Sequence, residues 1–439
     1  MAIDFGTALR ALALWLLPVL PVWAMAPIQH WETENGARVY FVPARELPMV
    51  DVRLVFDAGS ARDDGHAGLA SLTSALLDTG AGGLDADEIA ARLEGVGARL
   101  GSGAARDMAW VRLRSLTDAE LLEPALALMA SVIAEPDFRP EDFSRERERM
   151  LVALQYAQQK PGEIAERAFY RALYGDHPYA SSPDGTPESV KALTRRQVQA
   201  FHRRYYVARN AVVAIVGDLD RAGAEAIARR VTAGLPAGEP APPLPEVPAL
   251  RLAREERIAH PSTQTHILMG QPGVARGEDD YFALYVGNYV LGGGGLVSRI
   301  SEEIREKRGL AYSAYSYFLP MARRGPFRLG LQTRNETADE ALDVLRRTLV
   351  RFVEAGPTEQ ELVAARRHIT GGYPLRIDSN GKILEYIAMI GFYRLPLDYL
   401  ETFNARIEAV TREQVADAFR RRVDPDRMVT VMVGGAGTD

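Results

Sequence analysis

The chain of 439 residues contains no cysteine. That excludes disulfide staples, thiolate metal ligands and a cysteine nucleophile. Its seven histidines are His30, His66, His177, His202, His260, His266 and His368. None lies three or four residues from another, so no helix turn presents two imidazoles on one face, as a zinc helix must. A net charge of -6, with arginines interleaved among Asp and Glu, offers no basic field for nucleic acid. Past residue 26 no apolar run is long enough to span a bilayer. No G-x-S-x-G turn surrounds Ser71 or Ser74, which argues against a serine hydrolase. The glycines Gly292, Gly293, Gly294 and Gly295 are followed by no Gly-Lys-Ser/Thr, so they do not form a phosphate-binding loop.

What is present describes a globular protein of about two large domains, 47% apolar and 25% charged. The first segment, "ALRALALWLLPVLPVWAMA", sets Arg10 ahead of an apolar run and ends in Ala24-Met25-Ala26, a small-x-small pattern. It reads as a secretory signal spanning residues 1–26, with export to the periplasm as its consequence; the alternative is an uncleaved membrane anchor. At 234–250, "GLPAGEPAPPLPEVPAL" carries six prolines, which no helix or central strand tolerates, so it reads as a semi-rigid extended linker. It separates 27–233 from 251–439.

The two parts echo each other. "RLVFDAGSARDDGHAGLASLTSALLDTGAG" matches "HILMGQPGVARGEDDYFALYVGNYVLGGGG" as strand, acidic turn, apolar helix and glycine stop. "TRRQVQAFHRRYYVARNAVVAIVGDLD" likewise matches "TREQVADAFRRRVDPDRMVTVMVGGAG", and both pairs keep an offset of about 215 residues. In "PFRLGLQT", Phe327, Leu329 and Leu331 alternate with polar or small residues, which predicts a half-buried antiparallel strand. "ADEALDVLRRTLVRFVEAG" spaces Ala341, Leu342, Leu345, Leu349 and Phe352 for a helix that stops at Gly356. The fold class expected is α+β: two tandem homologous domains, each a mostly antiparallel sheet with helices on one face. The acidic pairs Asp63-Asp64 and Asp279-Asp280 fall in equivalent turns and read as solvated turn carboxylates.

The duplicated halves, the Pro-rich joint, "GLASLTSALLDTGAG" and "NYVLGGGGLVSRISEEIREKRGLAYSAYS" together resemble the pitrilysin-type zinc peptidases, the inverzincins that include the mitochondrial processing peptidases and small bacterial relatives. The likeness runs from about residue 28 to 436. It implies a clam-like dimer of which this chain is half. In that family an H-x-x-E-H helix and a later Glu hold zinc with an open position, and the motif's Glu takes a proton from the bound water. Here the corresponding helix reads Ser71-Leu72-Thr73-Ser74-Ala75, and the later position falls on Ala153 or Val152. No metal ligand is expected in this chain.

The second half retains what the resemblance assigns to substrate handling. An Arg and a Tyr seven residues apart, matched by Arg305 and Tyr312, hold the substrate backbone and stabilise the oxyanion. Strand alternation would put Tyr312 on one face with Ala314, Ser316 and Phe318, and Tyr315 and Tyr317 on the other. The glycine run 292–295 would be a peptide-touching loop, as in a non-catalytic processing-peptidase subunit. The resemblance thus implies a non-catalytic subunit whose homologous H-x-x-E-H partner brings the zinc, with peptides as substrates. The alternative is an inert peptide-binding or scaffold protein of the same fold.

Overall fold

The computed structural model describes residues 26–435; the segment read as a signal lies almost wholly outside it. Its strands are β1 (Gln29–Glu32), β2 (Arg38–Pro43), β3 (Met49–Phe56), β4 (Gly80–Ala81), β5 (Leu84–Asp85), β6 (Arg99–Ala104), β7 (Ala109–Leu116), β8 (Ala211–Gly217), β9 (Arg254–Ile258), β10 (Gln264–Pro272), β11 (Ala311–Phe318), β12 (Pro326–Arg334) and β13 (Val429–Val433). They form a six-stranded sheet ordered β1-β2-β8-β3-β7-β6, a five-stranded sheet ordered β11-β12-β10-β13-β9, and the small β4-β5 hairpin. Reading the second sheet backwards reproduces the first without β1. The pairs β2-β8 and β9-β13 are parallel, and the other ladders in both sheets are antiparallel. The architecture is therefore duplicated down to strand direction.

Each sheet carries its own helices on one face. On the first, Val52, Leu54, Val111 and Val213 pack beneath Leu72, Leu126, Met129, Val198 and Ile227 of four helices. On the second, Ile267, Phe327, Leu329 and Leu331 meet Ala341, Leu345, Leu349 and Phe352 of the Ala338–Ala355 helix. That helix ends against Gly356 at φ 67°, as its sequence pattern predicts.

The helices are not confined to one face. Pro161–Tyr174, from the first half, crosses to the second sheet, where Ala165, Phe169 and Leu173 pack on Leu268, Val429 and Val431. Asn380–Tyr393, from the second half, reciprocates: Leu384, Ile387 and Ala388 pack on Tyr40, Val55, Val212 and Ala214 of the first sheet. Glycine permits both close approaches. A Cβ on Gly270 would lie 3.0 Å from the Phe169 ring, and one on Gly391 would lie 2.6 Å from the Tyr40 ring. This exchange explains why β8 and β13 are buried along their whole length and read as unbroken apolar runs. The edge strands β6 and β11 and their neighbours β7 and β12 are left with one open face.

The halves are fixed across a shared seam. The carboxylate of Asp107, 4% exposed in the β6-β7 turn, accepts from Tyr179 Oη at 2.5 Å, Tyr393 Oη at 2.9 Å and the Ala322 amide at 2.7 Å. Burial pushes its pKa up, and the three donors oppose that shift. The Pro-rich linker is also held: Leu235, Leu244 and Val247 are buried. Arg323 Nε donates to the Leu244 carbonyl at 2.7 Å. On the other side Ala208 donates to the Pro236 carbonyl at 2.9 Å. It is a strap across both halves rather than a free spacer.

Candidate functional site

In the second half, the apolar helix Tyr281–Asn288 widens into a π-helical turn at Tyr289–Gly293, and a second π turn covers Glu302–Glu306. The π bonds run from the Gly294 amide to the Tyr289 carbonyl at 2.8 Å and from the Lys307 amide to the Glu302 carbonyl at 3.0 Å. Such wide turns are rare and concentrate where a side chain must be re-aimed. Here they flank the glycine run and deliver Arg305. Gly309, at φ 61°, then turns the chain into β11.

Arg305 and Tyr312 are brought together: the guanidinium carbon lies 4.6 Å from the centre of the phenol ring. The segment's other cations are committed. Lys307 and Arg308 both bind the Glu303 carboxylate at 2.8 Å, and their hydrogen bonds hold its pKa down at about 2. Among the described residues the ion pair of Arg305 is with Glu306, at 3.4 Å through Nε, which leaves its terminal amines outside the Glu303 cluster. Tyr312 is 83% exposed. The result is a half-buried guanidinium beside a solvent-facing phenol, suited to donating to a carbonyl or an oxyanion.

Tyr312 does not share a face with Ala314 and Ser316, contrary to the alternation expected. Ala311 pairs with Thr333 and Ala314 with Leu331, so three steps on β11 oppose two on β12. This bulge resets the alternation: Ala311, Ala314 and Ser316 are buried while Tyr312 turns out. Tyr315 and Tyr317 stack 5.7 Å apart on the opposite face, with the Arg328 guanidinium 4.8 Å from the Tyr317 ring and paired with Glu166 of Pro161–Tyr174.

The glycine run is packed as well as exposed. A Cβ on Gly292 would lie 2.4 Å from Ser316 Oγ, one on Gly293 2.7 Å from Asn288 Nδ2, and one on Gly294 2.7 Å from the Tyr289 carbonyl oxygen. Gly292 is buried, whereas Gly293 and Gly295 face solvent, followed by exposed Leu296 and Val297. The run is anchored by Asn288, which sequence reasoning missed. Its Nδ2 donates to the Ser316 carbonyl at 3.0 Å and its Oδ1 accepts from Ser316 Oγ at 2.7 Å. A lone amide in the apolar stretch "FALYVGNYVL" was the available signal.

In the first half, the residues at the family's metal positions do not fit zinc. Ser71 Oγ donates to the Pro183 carbonyl at 2.7 Å, Ser74 is 1% exposed, Ala75 has no donor atom and Val152 is 41% exposed. Nearby carboxylates are spoken for: Asp142 pairs with Arg145 at 2.7 Å and Glu146 with Arg149 at 2.9 Å. The histidines are dispersed. His202 Nε2 lies 2.8 Å from the Ile133 carbonyl, His177 Nε2 3.0 Å from that of Pro245 and His30 Nδ1 2.8 Å from that of Val39. Among the described residues no three His, Asp or Glu side chains converge as a metal cluster.

Of the turn carboxylates, Asp64 and Asp279 are exposed as expected, whereas Asp63 and Asp280 are not. Asp63 is 2% exposed and accepts from the amides of Gly68 and Ala70 at 2.9 and 2.8 Å; burial raises its pKa to about 7. It starts the Leu69–Ala75 helix, which has no side-chain N-cap of its own. Asp280 is held by Arg421 at 2.7 Å and Arg422 at 2.6 Å. Neither is a free surface acid.

The family described as "Insulinase (Peptidase family M16)" matches residues 41–186, and "Peptidase M16 inactive domain" matches 192–369. A Mycobacterium leprae protein described as an uncharacterised zinc protease is 30% identical over 81% of this chain and 80% of its own. A Helicobacter pylori protein named a non-peptidase homolog is 25% identical over 90% of each. The crystal structure of a "peptidase M16 inactive domain" from Pseudomonas fluorescens superposes with a TM-score of 0.90 at 42% identity, covering 93% of this chain and 97% of that one. By sequence, fold and internal duplication, the chain belongs to the M16 peptidase family.

Proposed function

We propose that this chain is the non-catalytic subunit of a heterodimeric periplasmic zinc metallopeptidase. Arg305 and Tyr312 act in trans, donating hydrogen bonds to a peptide carbonyl held at the zinc of a homologous H-x-x-E-H subunit. One observation carries the reading. The family's zinc-site positions in the first half are occupied by Ser71, Ser74, Ala75 and Ala153 or Val152, while the second half leaves one cation out of the Glu303 cluster and sets it against an exposed tyrosine. A guanidinium keeps its charge and a phenol gives one directed donor, which is what a developing oxyanion needs. Export is supported by the apolar first segment ending in Ala24-Met25-Ala26.

The test is reconstitution. The purified chain should carry no zinc and cleave no peptide, whereas a mixture with an H-x-x-E-H companion should do so in a chelator-sensitive way. Arg305→Ala should lower kcat of the pair about a hundredfold, with Tyr312→Phe acting in the same direction, the scale for an oxyanion donor. Chelator-resistant cleavage by this chain alone would sink the reading. Binding without cleavage in every combination would favour a scaffold instead.

A further inference from the structure

The open face of β6 and β7 carries a charge arrangement that stability alone does not account for. Three rows cross the first sheet. The first runs Val216, Asp51, Arg114, Arg99; the second Ala214, Arg53, Arg112, Gly101; the third Val212, Val55, Trp110, Gly103. Arg53 thus faces Arg112 directly, and Arg114 faces Arg99. Like charges directly opposite on neighbouring strands destabilise a sheet. Two of the four are neutralised within the fold. Arg114 binds Asp51 through two bonds of 2.8 and 3.0 Å, and Arg53 pairs with Glu385 of the exchanged helix and lies 4.7 Å from the Trp110 ring. Arg99 and Arg112 are exposed and pair with no carboxylate among the described residues.

The glycines complete the surface. A Cβ on Gly103 would lie 2.5 Å from the Trp110 ring, so the indole lies flat where a side chain of β6 would stand. Arg112 leans the same way, its Nε 3.9 Å from where a Cβ on Gly101 would be. An aromatic plane and a free guanidinium therefore sit side by side, two residues apart on β7 and about 7 Å apart along the strand. That is the spacing of alternate side chains in an extended peptide. A charged edge strand also discourages edge-to-edge pairing, but Arg112 is not on the edge, and either sign would serve that purpose.

We propose that this face binds an acidic, extended peptide segment, with a carboxylate at Arg112 and Arg99 and, two residues away, an apolar side chain on Trp110. The two unpaired guanidiniums give this face a local positive charge on a net-negative chain, which complements an anionic segment. The surface lies on the first half, remote in sequence from Arg305 and Tyr312, and the inference does not depend on their acting in trans.

The experiment uses the chain alone and a short labelled peptide bearing Leu two residues from a Glu pair, followed by fluorescence polarisation. The acidic peptide binds, its Lys-for-Glu counterpart does not, and raised salt weakens binding. The double variant Arg99→Gln, Arg112→Gln loses affinity by about tenfold or more, the scale of charged hydrogen bonds, while Arg347→Gln, at an exposed arginine of the Ala338–Ala355 helix, binds as the parent does. Equal binding of the lysine peptide, undiminished affinity of the double variant, or equally tight binding of a single-stranded oligonucleotide overturns the proposal. Without peptide, Arg112→Gln should melt at or above the parent temperature because it relieves the Arg53 pair. A clear fall would mean Arg112 serves the fold, and would also overturn it.

Discussion

At the scale of single residues, burial has settled roles that residue type leaves open. His202 sits in the Arg195–Tyr205 helix at 8% exposure, stacked 4.8 Å from Tyr206 and bonded to the Ile133 carbonyl. Burial lowers its pKa from 6.5 to about 4, so the folded protein keeps it neutral where the unfolded chain would protonate it. Between those values the unfolded state binds the extra proton. Its contribution to stability is therefore complete above pH 6.5 and is lost as pH falls toward about 4. Asp63 works in the other direction: its pKa, raised to about 7, means that stability is lost as pH rises through that value. Comparing the parent with His202→Gln cancels the Asp63 effect. The parent's advantage in denaturant unfolding should shrink by about 3 kcal/mol between neutral pH and pH 4; a constant gap would show that His202 is not held neutral. The sequence marked Arg305 and Tyr312 because their separation is local. It did not reveal Arg99, Arg112 and Trp110 as a group, since only the cross-strand register assembles them, and a one-residue bulge was enough to turn Tyr312 to the other side.

Among the elements, periodicity was readable where an element has one buried face. The Ala338–Ala355 helix and β12 match their patterns. The exchange of Pro161–Tyr174 for Asn380–Tyr393 was not readable, because an apolar stripe says that a helix is covered and not by which sheet. The linker reads as separating two homologous domains; the exchange shows that each half completes the other. Without the second half, Phe169 and its neighbours on Pro161–Tyr174 would be bare, as would Tyr40, Val55 and Val212 beneath the missing helix. Each large side chain exposed in this way costs about 2 kcal/mol, and several together exceed the usual margin of a domain. Residues 27–233 expressed alone should therefore lack a cooperative melting transition and be rapidly proteolysed. Co-expression with 251–439 should restore both halves as one complex. A sharply melting, protease-resistant first half would refute the reciprocal dependence.

For the molecule as a whole, the question is whether the halves can hinge within the chain. Asp107 closes the seam with three donors, two of them supplied by Ala322 and Tyr393 of the second half. Removing such a buried acceptor strands its donors, so opening there is costly. The strap adds Pro236 and Ala241 anchored on the first half and Leu244 on the second. Motion that admits a peptide is then expected between this chain and the proposed partner rather than inside it. The covalent continuity of 234–250 should matter little once the halves have docked, because the helix exchange and the seam, not the peptide bond, hold them together. A protease site inserted between the exposed Pro242 and Pro243 and cut after folding should leave one peak in size-exclusion chromatography. The cut protein should melt in a single transition close to that of the uncut chain. If the two fragments elute apart, or melt separately, the halves are linked domains joined mainly by their tether, and hinging within the chain becomes the natural route for substrate entry.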